Sequence, residues 1–293
     1  MRILFTRMAL IFILLSTSVS PNGLPQTSQR EKILAIYKKT FEHPSDAPSF
    51  AALKETLPRD GNYYILEGDL QLTEQELRAY VDAKRQEGEK QLPISSELIV
   101  NRWNDQDDYY RKVSDRTLNY ALDRSSFEGG ADQYAVVARN VVAATKAWES
   151  SCPQCQINFV YKPELDSNPS ATELNFVVRL HDVHGAYIAA SFFPHDDKLR
   201  RFLNIDPSYF VAGFDQTGVL RHELGHVLGY RHEHIRGIPG CYSEGNQWRP
   251  LTEYDPKSVM HYFCGGHGSV ALALTDLDVR GHRQLYSSSS GSN

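Results

Sequence analysis

Three histidines at a fixed spacing, His222, His226 and His232, constrain this chain more than any other feature of its sequence. Residues four apart on an α-helix project from the same face, so the first two can direct their imidazoles at one point. Gly229 can take the left-handed backbone conformation that ends a helix, which lets the chain turn back and bring His232 to that point. The segment 222–232 therefore predicts a helix, a glycine turn and three converging imidazoles.

Three converging imidazoles suit Zn²⁺, which binds neutral histidine nitrogens at about 2.0–2.1 Å. Three protein ligands leave one coordination position open, which distinguishes a catalytic zinc site from a closed structural one. Glu223 follows the first histidine, beside the metal but aimed past it, where a carboxylate can take a proton from water and pass it to a leaving amine. We expect His222, His226 and His232 to bind zinc and Glu223 to act as the general base.

The pattern H-E-x-x-H-x-x-G-x-x-H at 222–232 resembles the zinc-binding consensus of the metzincin metallopeptidases. About thirty residues downstream, S-V-M-H-Y at 258–262 resembles the turn in that family whose methionine, here Met260, packs under the imidazoles. Glu233 and Tyr262 make the chain most similar to the astacin-like branch. This resemblance implies that Tyr262 binds the metal at rest and stabilises the oxyanion during turnover, and that Glu233 is structural, linked to the N-terminus formed on activation. The cysteine placement favours a bacterial or otherwise divergent member.

The order of predicted elements indicates an α+β fold. The pattern predicts a strand at 118–122, a helix at 131–150, four strands at 157–161, 174–180, 187–193 and 202–205, and helices beginning near Thr217 and Thr275. This order indicates a mixed sheet with helices packed against it. The resemblance implies a mostly parallel twisted sheet, an active-site helix and a C-terminal helical lobe.

The N-terminus predicts export. A basic start, the apolar run 8–15 and a small polar stretch are typical of a signal peptide over 1–20, with an N-terminal core helix as the alternative. The apolar run is too short to span a bilayer, and a net charge of −5 argues against a protein that binds nucleic acid through phosphate contacts. We therefore expect a secreted monomer that acts on a protein or peptide, with no nucleic acid and no membrane span.

The segment after the signal peptide predicts a propeptide over 21–92, followed by a catalytic domain over 93–286 and a disordered tail over 287–293. It contains a predicted helix over 30–42, and Thr73 and Glu76 form a capping box that opens another. The sequence L-E-G-D-L at 66–70 resembles the propeptide segment of astacins whose aspartate caps the zinc. Asp69 would then fill the open position and keep the zymogen inactive; the alternative is an ordinary Gly-Asp turn.

Four cysteines allow three pairings, of which we expect Cys152–Cys155 and Cys241–Cys264, because the first two are adjacent and the second two flank one segment. A structural zinc held by four thiolates is disfavoured, since the second pair lacks C-x-x-C spacing. Since no cysteine precedes Cys152, a thiol-based switch in the propeptide is ruled out.

Two further patterns leave alternatives open. Residues 185–193 lie where metzincins place an edge strand that binds an extended peptide, but an ordinary sheet strand fits equally. His181, His184 and His195 with neighbouring aspartates could hold a second metal as in matrixins, although 188–191 lacks the histidine that such a site needs.

Together these patterns predict a secreted zinc endopeptidase made as a zymogen. One rival is a matrixin-like protease, in which Tyr262 has no catalytic role. A rival of another class is an inactive zinc-bearing module for binding or adhesion. The presence of Glu223 argues against that second rival, because a pseudoenzyme has no use for a general base.

Overall fold

A computed structural model describes residues 47–66, 69–86, 97–127, 130–170, 172–236, 238, 241, 247–261, 264 and 266–287. The predicted signal peptide, the predicted helix over 30–42 and Tyr262 lie outside these residues, as does the predicted tail over 287–293 except for Ser287. The propeptide and catalytic-domain boundaries near residue 92 fall in the undescribed stretch 87–96 and stay predictions.

Residues 47–86 form a small unit, which we call the N-terminal module, around an apolar core that also takes in Phe193 from the rest of the chain. It contains helix α1 (Ala47–Thr56), strands β1 (Arg59–Asp60), β2 (Tyr63–Leu66) and β3 (Leu70–Leu72), and helix α2 (Glu74–Gln86). The three strands form an antiparallel sheet. The predicted capping box opens α2: Glu76 N–H donates to Thr73 Oγ1 at 3.2 Å, and Thr73 N–H donates to Glu76 Oε2 at 2.7 Å.

The remaining helices and strands follow in chain order. They are β4 (Glu97–Trp103), β5 (Gln106–Asp107), β6 (Thr117–Leu122), α3 (Ala131–Ser151), β7 (Asn158–Tyr161), β8 (Phe176–Leu180), β9 (Ala189–Ala190), β10 (Phe202–Ile205), α4 (Gln216–Val227), β11 (Tyr230–Arg231), β12 (Trp248–Thr252) and α5 (Asp276–Ser287).

The larger sheet has the strand order β7-β6-β8-β10-β9. Four of its strands are mutually parallel, and β9 pairs antiparallel with β10 at one edge. This arrangement confirms the α+β class and the mixed, mostly parallel sheet. The predicted strand over 187–193 is shorter than expected: only Ala189 and Ala190 are strand, and they pair with Ile205 and Asn204.

A second sheet, which the sequence analysis missed, is built on β4. This strand pairs antiparallel with β5, β11 and β12. Its pairing with β11, in the register Tyr230 to Val100, fixes the chain immediately after the glycine turn. The second sheet therefore fixes the direction in which the chain leaves α4.

Helices α3 and α4 of the main core are held against each other by a specific contact. Trp148 of α3 is fully buried, and its indole N–H donates to the carbonyl of Arg221 in α4 at 2.9 Å. A buried indole N–H needs such a partner, so this bond fixes how α4 lies on α3. The imidazoles that α4 carries are thereby placed on a rigid support.

Candidate metal centre

Helix α4 is bounded by residues suited to its ends. Asp215 accepts a hydrogen bond from the N–H of Gly218 at 2.6 Å, which caps the first turn. Beyond the other end, Gly229 has φ +97°, a left-handed conformation that favours glycine. A Cβ at Gly229 would lie 2.0 Å from the carbonyl oxygen of Asp108, so the turn also needs the absence of a side chain. The structure thus shows the predicted glycine turn.

The turn brings the three imidazoles together. His232 Nε2 lies 3.2 Å from His222 Nε2 and 3.1 Å from His226 Nε2. The Oδ2 atom of Asp69, from the N-terminal module, lies 3.1 Å from His232 Nε2, 3.4 Å from His222 Nε2 and 3.5 Å from His226 Nε2. All four residues are buried. This set is a buried cluster that could hold a metal ion.

The hydrogen bonds around the cluster settle which ring nitrogens carry protons. His222 Nδ1 lies 2.7 Å from the carbonyl of Val259, and His226 Nδ1 lies 2.7 Å from the carbonyl of Tyr230. A carbonyl can only accept, so both Nδ1 atoms donate, and in the neutral form of each ring the Nε2 atom then presents its lone pair to the cluster. A carbonyl that orients an imidazole in this way is the common arrangement around metal-bound histidine.

The donor set fits a cation. His232 Nε2 is surrounded by three acceptor atoms within 3.2 Å, and one proton on it could serve only one of them. Tetrahedral ligands about 2.0–2.1 Å from a metal lie about 3.3 Å apart, which matches the five separations of 3.1–3.5 Å observed here. The three imidazoles and the carboxylate therefore fit the four corners of a tetrahedral metal site.

Glu223 is also buried, at 2 % exposure, and its Oε2 atom has no hydrogen-bond partner among the described residues. Its backbone carbonyl accepts from Ser191 Oγ at 2.9 Å, which ties α4 to the chain just after β9. Burial, with a contribution from the charge of Asp69, raises the pKa of the Glu223 carboxyl well above its usual range. A raised pKa makes this carboxylate a stronger base than that of an exposed glutamate, which suits a group that takes a proton from water.

The turn around Met260 supports the cluster from below. Ser258 Oγ donates to Asp278 Oδ1 at 2.6 Å, and the N–H of Val259 donates to Asp278 Oδ2 at 2.9 Å. Asp278 also forms the predicted capping box of α5 with Thr275. Burial raises the pKa of Asp278 to about 6. One carboxylate thus fixes the start of α5 and the turn whose carbonyl orients His222, a second role that the sequence analysis missed.

Because Gly225 has no side chain, the turn that contains Met260 can pack closely against α4. A Cβ on Gly225 would lie 2.4 Å from Met260 Sδ and 3.4 Å from the Trp148 ring. We expect Gly225→Ala to lower the free energy of unfolding by about 1–3 kcal/mol through overpacking, although alanine favours a helix. Chemical denaturation measures this loss. Gly130→Ala is the control, because an added Cβ there meets nothing closer than 3.9 Å. Equal stability of Gly225→Ala and the wild type would contradict the packing argument.

Glu233 follows the third histidine and has partners within the chain. Arg236 donates to its Oε2 atom at 2.9 Å, and the N–H of Asp255 donates to its Oε1 atom at 3.4 Å. Its own N–H donates to the carbonyl of Met260 at 2.8 Å. Burial raises the pKa of the Glu233 carboxyl well above its usual range. These bonds connect the segment after His232 to the methionine turn.

The histidines considered for a second metal do not come together. His181 Nε2 lies 2.8 Å from Asp60, and His195 Nδ1 lies 2.6 Å from Asp108. His184 is exposed and lies 3.1 Å from Asp182. Within the described part of the chain, the cluster around His222 is the group whose ligand atoms converge closely enough for a metal.

Both expected disulfides are present. Cys152 is bonded to Cys155 and Cys241 to Cys264, with Cα–Cα separations of 5.3 and 5.1 Å. This confirms the favoured pairing and indicates an oxidising environment. Among the described helices, none combines the length and apolar character needed to cross a bilayer.

Comparison with known proteins gives limited similarity. No family model matches the chain. An alignment of 118 positions, spanning 31% of this chain, is 29% identical to the dorsal-ventral patterning protein tolloid of Drosophila melanogaster. The chain spans about a tenth of that protein, at 11% of its length. A solved structure described as a chaperone-substrate complex aligns with 64% of this chain and 37% of its own chain, with 11% sequence identity. The TM-score of 0.26 is too low to indicate a shared fold.

Proposed function

We propose that this protein is a secreted zinc-dependent endopeptidase of the astacin-like type, made as a zymogen. The observation that carries the proposal is the convergence of three imidazole nitrogens and a carboxylate oxygen at tetrahedral spacing beside buried Glu223. The similarity to tolloid and the resemblance of 222–233 and 258–262 to astacin motifs support a protease-related function. The two disulfides support secretion.

In this proposal His222, His226 and His232 hold Zn²⁺. Zinc bound there supplies Lewis acidity that polarises the scissile carbonyl and makes water a better nucleophile at neutral pH. Glu223 takes the proton from the attacking water and delivers it to the leaving amine. Tyr262, whose placement is outside the described residues, donates a hydrogen bond to the oxyanion of the substrate.

The fourth corner of the cluster accounts for latency. Asp69 Oδ2 takes the position that a substrate-activating site must leave open. The N-terminal module also packs beside the cluster, because its apolar core includes Phe193, whose ring lies 5.5 Å from the ring of His226. With the bounds that the sequence predicts, residues 1–20 are a signal peptide, 21–92 a propeptide, 93–286 the catalytic domain and 287–293 a tail, of which Ser287 still belongs to α5.

Metal removal tests the activity. We expect the processed chain, cut within 87–96, to bind one zinc per chain and to hydrolyse casein. A chelator such as 1,10-phenanthroline should abolish hydrolysis, and added zinc should restore it. Zinc analysis and a fluorescent casein assay measure both quantities. A processed, zinc-loaded chain that cleaves no protein would contradict the peptidase and leave a binding or adhesion module.

Asp69→Asn tests latency in the uncut chain. An amide carries no charge to pair with the metal, and an interaction of that kind, such as a charged hydrogen bond, contributes about 1.5–3 kcal/mol. We therefore expect the full-length variant to hydrolyse peptide at least about tenfold faster than the uncut wild type. The contacts of the rest of the module remain, so activity stays below that of the processed chain. Glu55→Gln, an exposed carboxylate of the same module, is the control and should remain latent. Unchanged latency of Asp69→Asn would contradict the assignment.

A further inference from the structure

A second carboxylate of the N-terminal module, Asp60 in β1, is also bound by the main domain. His181 Nε2 donates to its Oδ1 atom at 2.8 Å, and the Tyr187 hydroxyl donates to its Oδ2 atom at 3.2 Å. Gln71 of the module itself donates to Oδ2 at 2.8 Å. The Asp60 side chain is only 13% exposed. A largely covered carboxylate with three donors, two of them from another part of the chain, occupies a site built for a carboxylate.

This site lies along the edge of the larger sheet. Ile65 of β2 packs against Tyr187 and Ala190, so the module's hairpin covers the edge strand β9. An extended substrate that bound at this edge would take the place of the hairpin. From Leu66, at the metal end of the hairpin, to Tyr63, the partner of Asp60, the strand runs three residues, or about 10 Å.

The surface beneath the module is basic. A cavity of about 260 Å³ beside Asp60 is lined by Arg179, His181 and Arg200. Arg200 pairs with Glu76 of the module at 2.6 Å. Arg179 is held in place by Asn204, whose Oδ1 atom accepts from its Nε at 2.7 Å. If the module leaves, these three basic side chains lose the carboxylates of Asp60 and Glu76 that face them.

We propose that His181, Tyr187 and Arg179 form a carboxylate-binding subsite, which receives an Asp or Glu side chain of the substrate three to four residues from the scissile bond. Asp60 occupies this subsite in the uncut chain. That the ligand is a substrate rests on the proposed function, whereas the carboxylate site itself does not depend on it. This subsite makes the processed enzyme select substrates that have an acidic residue several positions away from the bond at the metal cluster.

The first test uses the full chain and needs no activity. Asp60→Ala removes the carboxylate, and we expect the melting temperature of this variant to fall by several degrees. In about 50–100 mM sodium acetate, half or more of that loss should be recovered, compared with sodium chloride of equal ionic strength. Asp60→Ala/His181→Gln should show no acetate-specific recovery. Asp60→Ala/His184→Gln is the matched control and should recover, because His184 is an exposed histidine of the same loop. Absence of recovery in Asp60→Ala would overturn the proposal.

The second test uses the processed chain and peptides in which one Asp is moved along a neutral sequence, each paired with its Asn counterpart. We expect at least a tenfold higher kcat/KM for the Asp peptide at one position, three or four residues from the cut. His181→Gln should reduce this ratio to about one, and His184→Gln should preserve it. Equal cleavage of every Asp and Asn pair would overturn the proposal. If no peptide is cut while acetate still stabilises Asp60→Ala through His181, the peptidase fails and the carboxylate site stands.

Discussion

Glu223→Gln is expected to lower kcat/KM for peptide hydrolysis by about 10³-fold or more in the processed chain, because general acid–base catalysis contributes up to about 10⁴-fold. The amide has nearly the shape of the carboxylate but cannot accept the proton of water at neutral pH. Since Glu223 is not one of the four residues that form the metal cluster, the zinc content should stay at one per chain. Peptide hydrolysis and metal analysis on the same preparation measure both.

Glu164→Gln, an exposed carboxylate of the same domain, is the control for Glu223→Gln and should keep full activity. Two results would contradict the assignment. Retained hydrolysis would show that another group is the base. Loss of zinc together with activity would show that Glu223 holds the cluster rather than moving a proton.

Gly229→Ala is expected to have the largest effect on folding. The residue has φ +97°, which costs alanine about 1–3 kcal/mol, and its new Cβ would lie 2.0 Å from the backbone oxygen of Asp108. The clash is with backbone, so no rotamer change relieves it. The carbonyl of Gly229 also accepts from Asn101 N–H at 2.7 Å, so a shift of the turn breaks the join to β4. We expect a loss of about 3–5 kcal/mol in the free energy of unfolding, with weaker zinc binding.

Gly266→Ala separates strain from collision. Gly266 also has a left-handed backbone, at φ +81°, but an added Cβ there meets nothing within 4 Å. This variant should lose only the conformational part, about 1–3 kcal/mol. Denaturation curves of the two variants give the comparison. Equal losses in the two variants would show that the collision with Asp108 does not contribute to the loss of stability.

The elements that the sequence predicted best are those with a local cause. Helix α4 and its end follow from the four-residue spacing of His222 and His226 and from Gly229, so the structure shows the imidazoles converging as expected. Zinc binding by them remains a prediction. The capping boxes at Thr73 and Thr275 are equally local and are confirmed. The disulfide between Cys152 and Cys155 follows from adjacency.

The features that escaped the sequence analysis depend on partners far along the chain. Strand β4 has no regular alternation of apolar residues, because Leu98, Ile99 and Val100 are all buried, so only its three neighbours identify it. The second role of Asp278 joins α5 to a turn about twenty residues earlier. The pairing of Asp60 with His181 spans 121 positions, and nothing in either local sequence indicates it.

The contact of Asp69 with the three imidazoles couples two equilibria that are usually treated separately. If a metal ion tightens the attachment of the N-terminal module by some factor, reciprocity requires the attached module to raise the affinity for metal by the same factor. On the proposed function, cutting the chain would then release an enzyme that holds its metal less firmly than its precursor does. A precursor exported into a zinc-poor medium could acquire its ion before processing and carry it to the place where it becomes active.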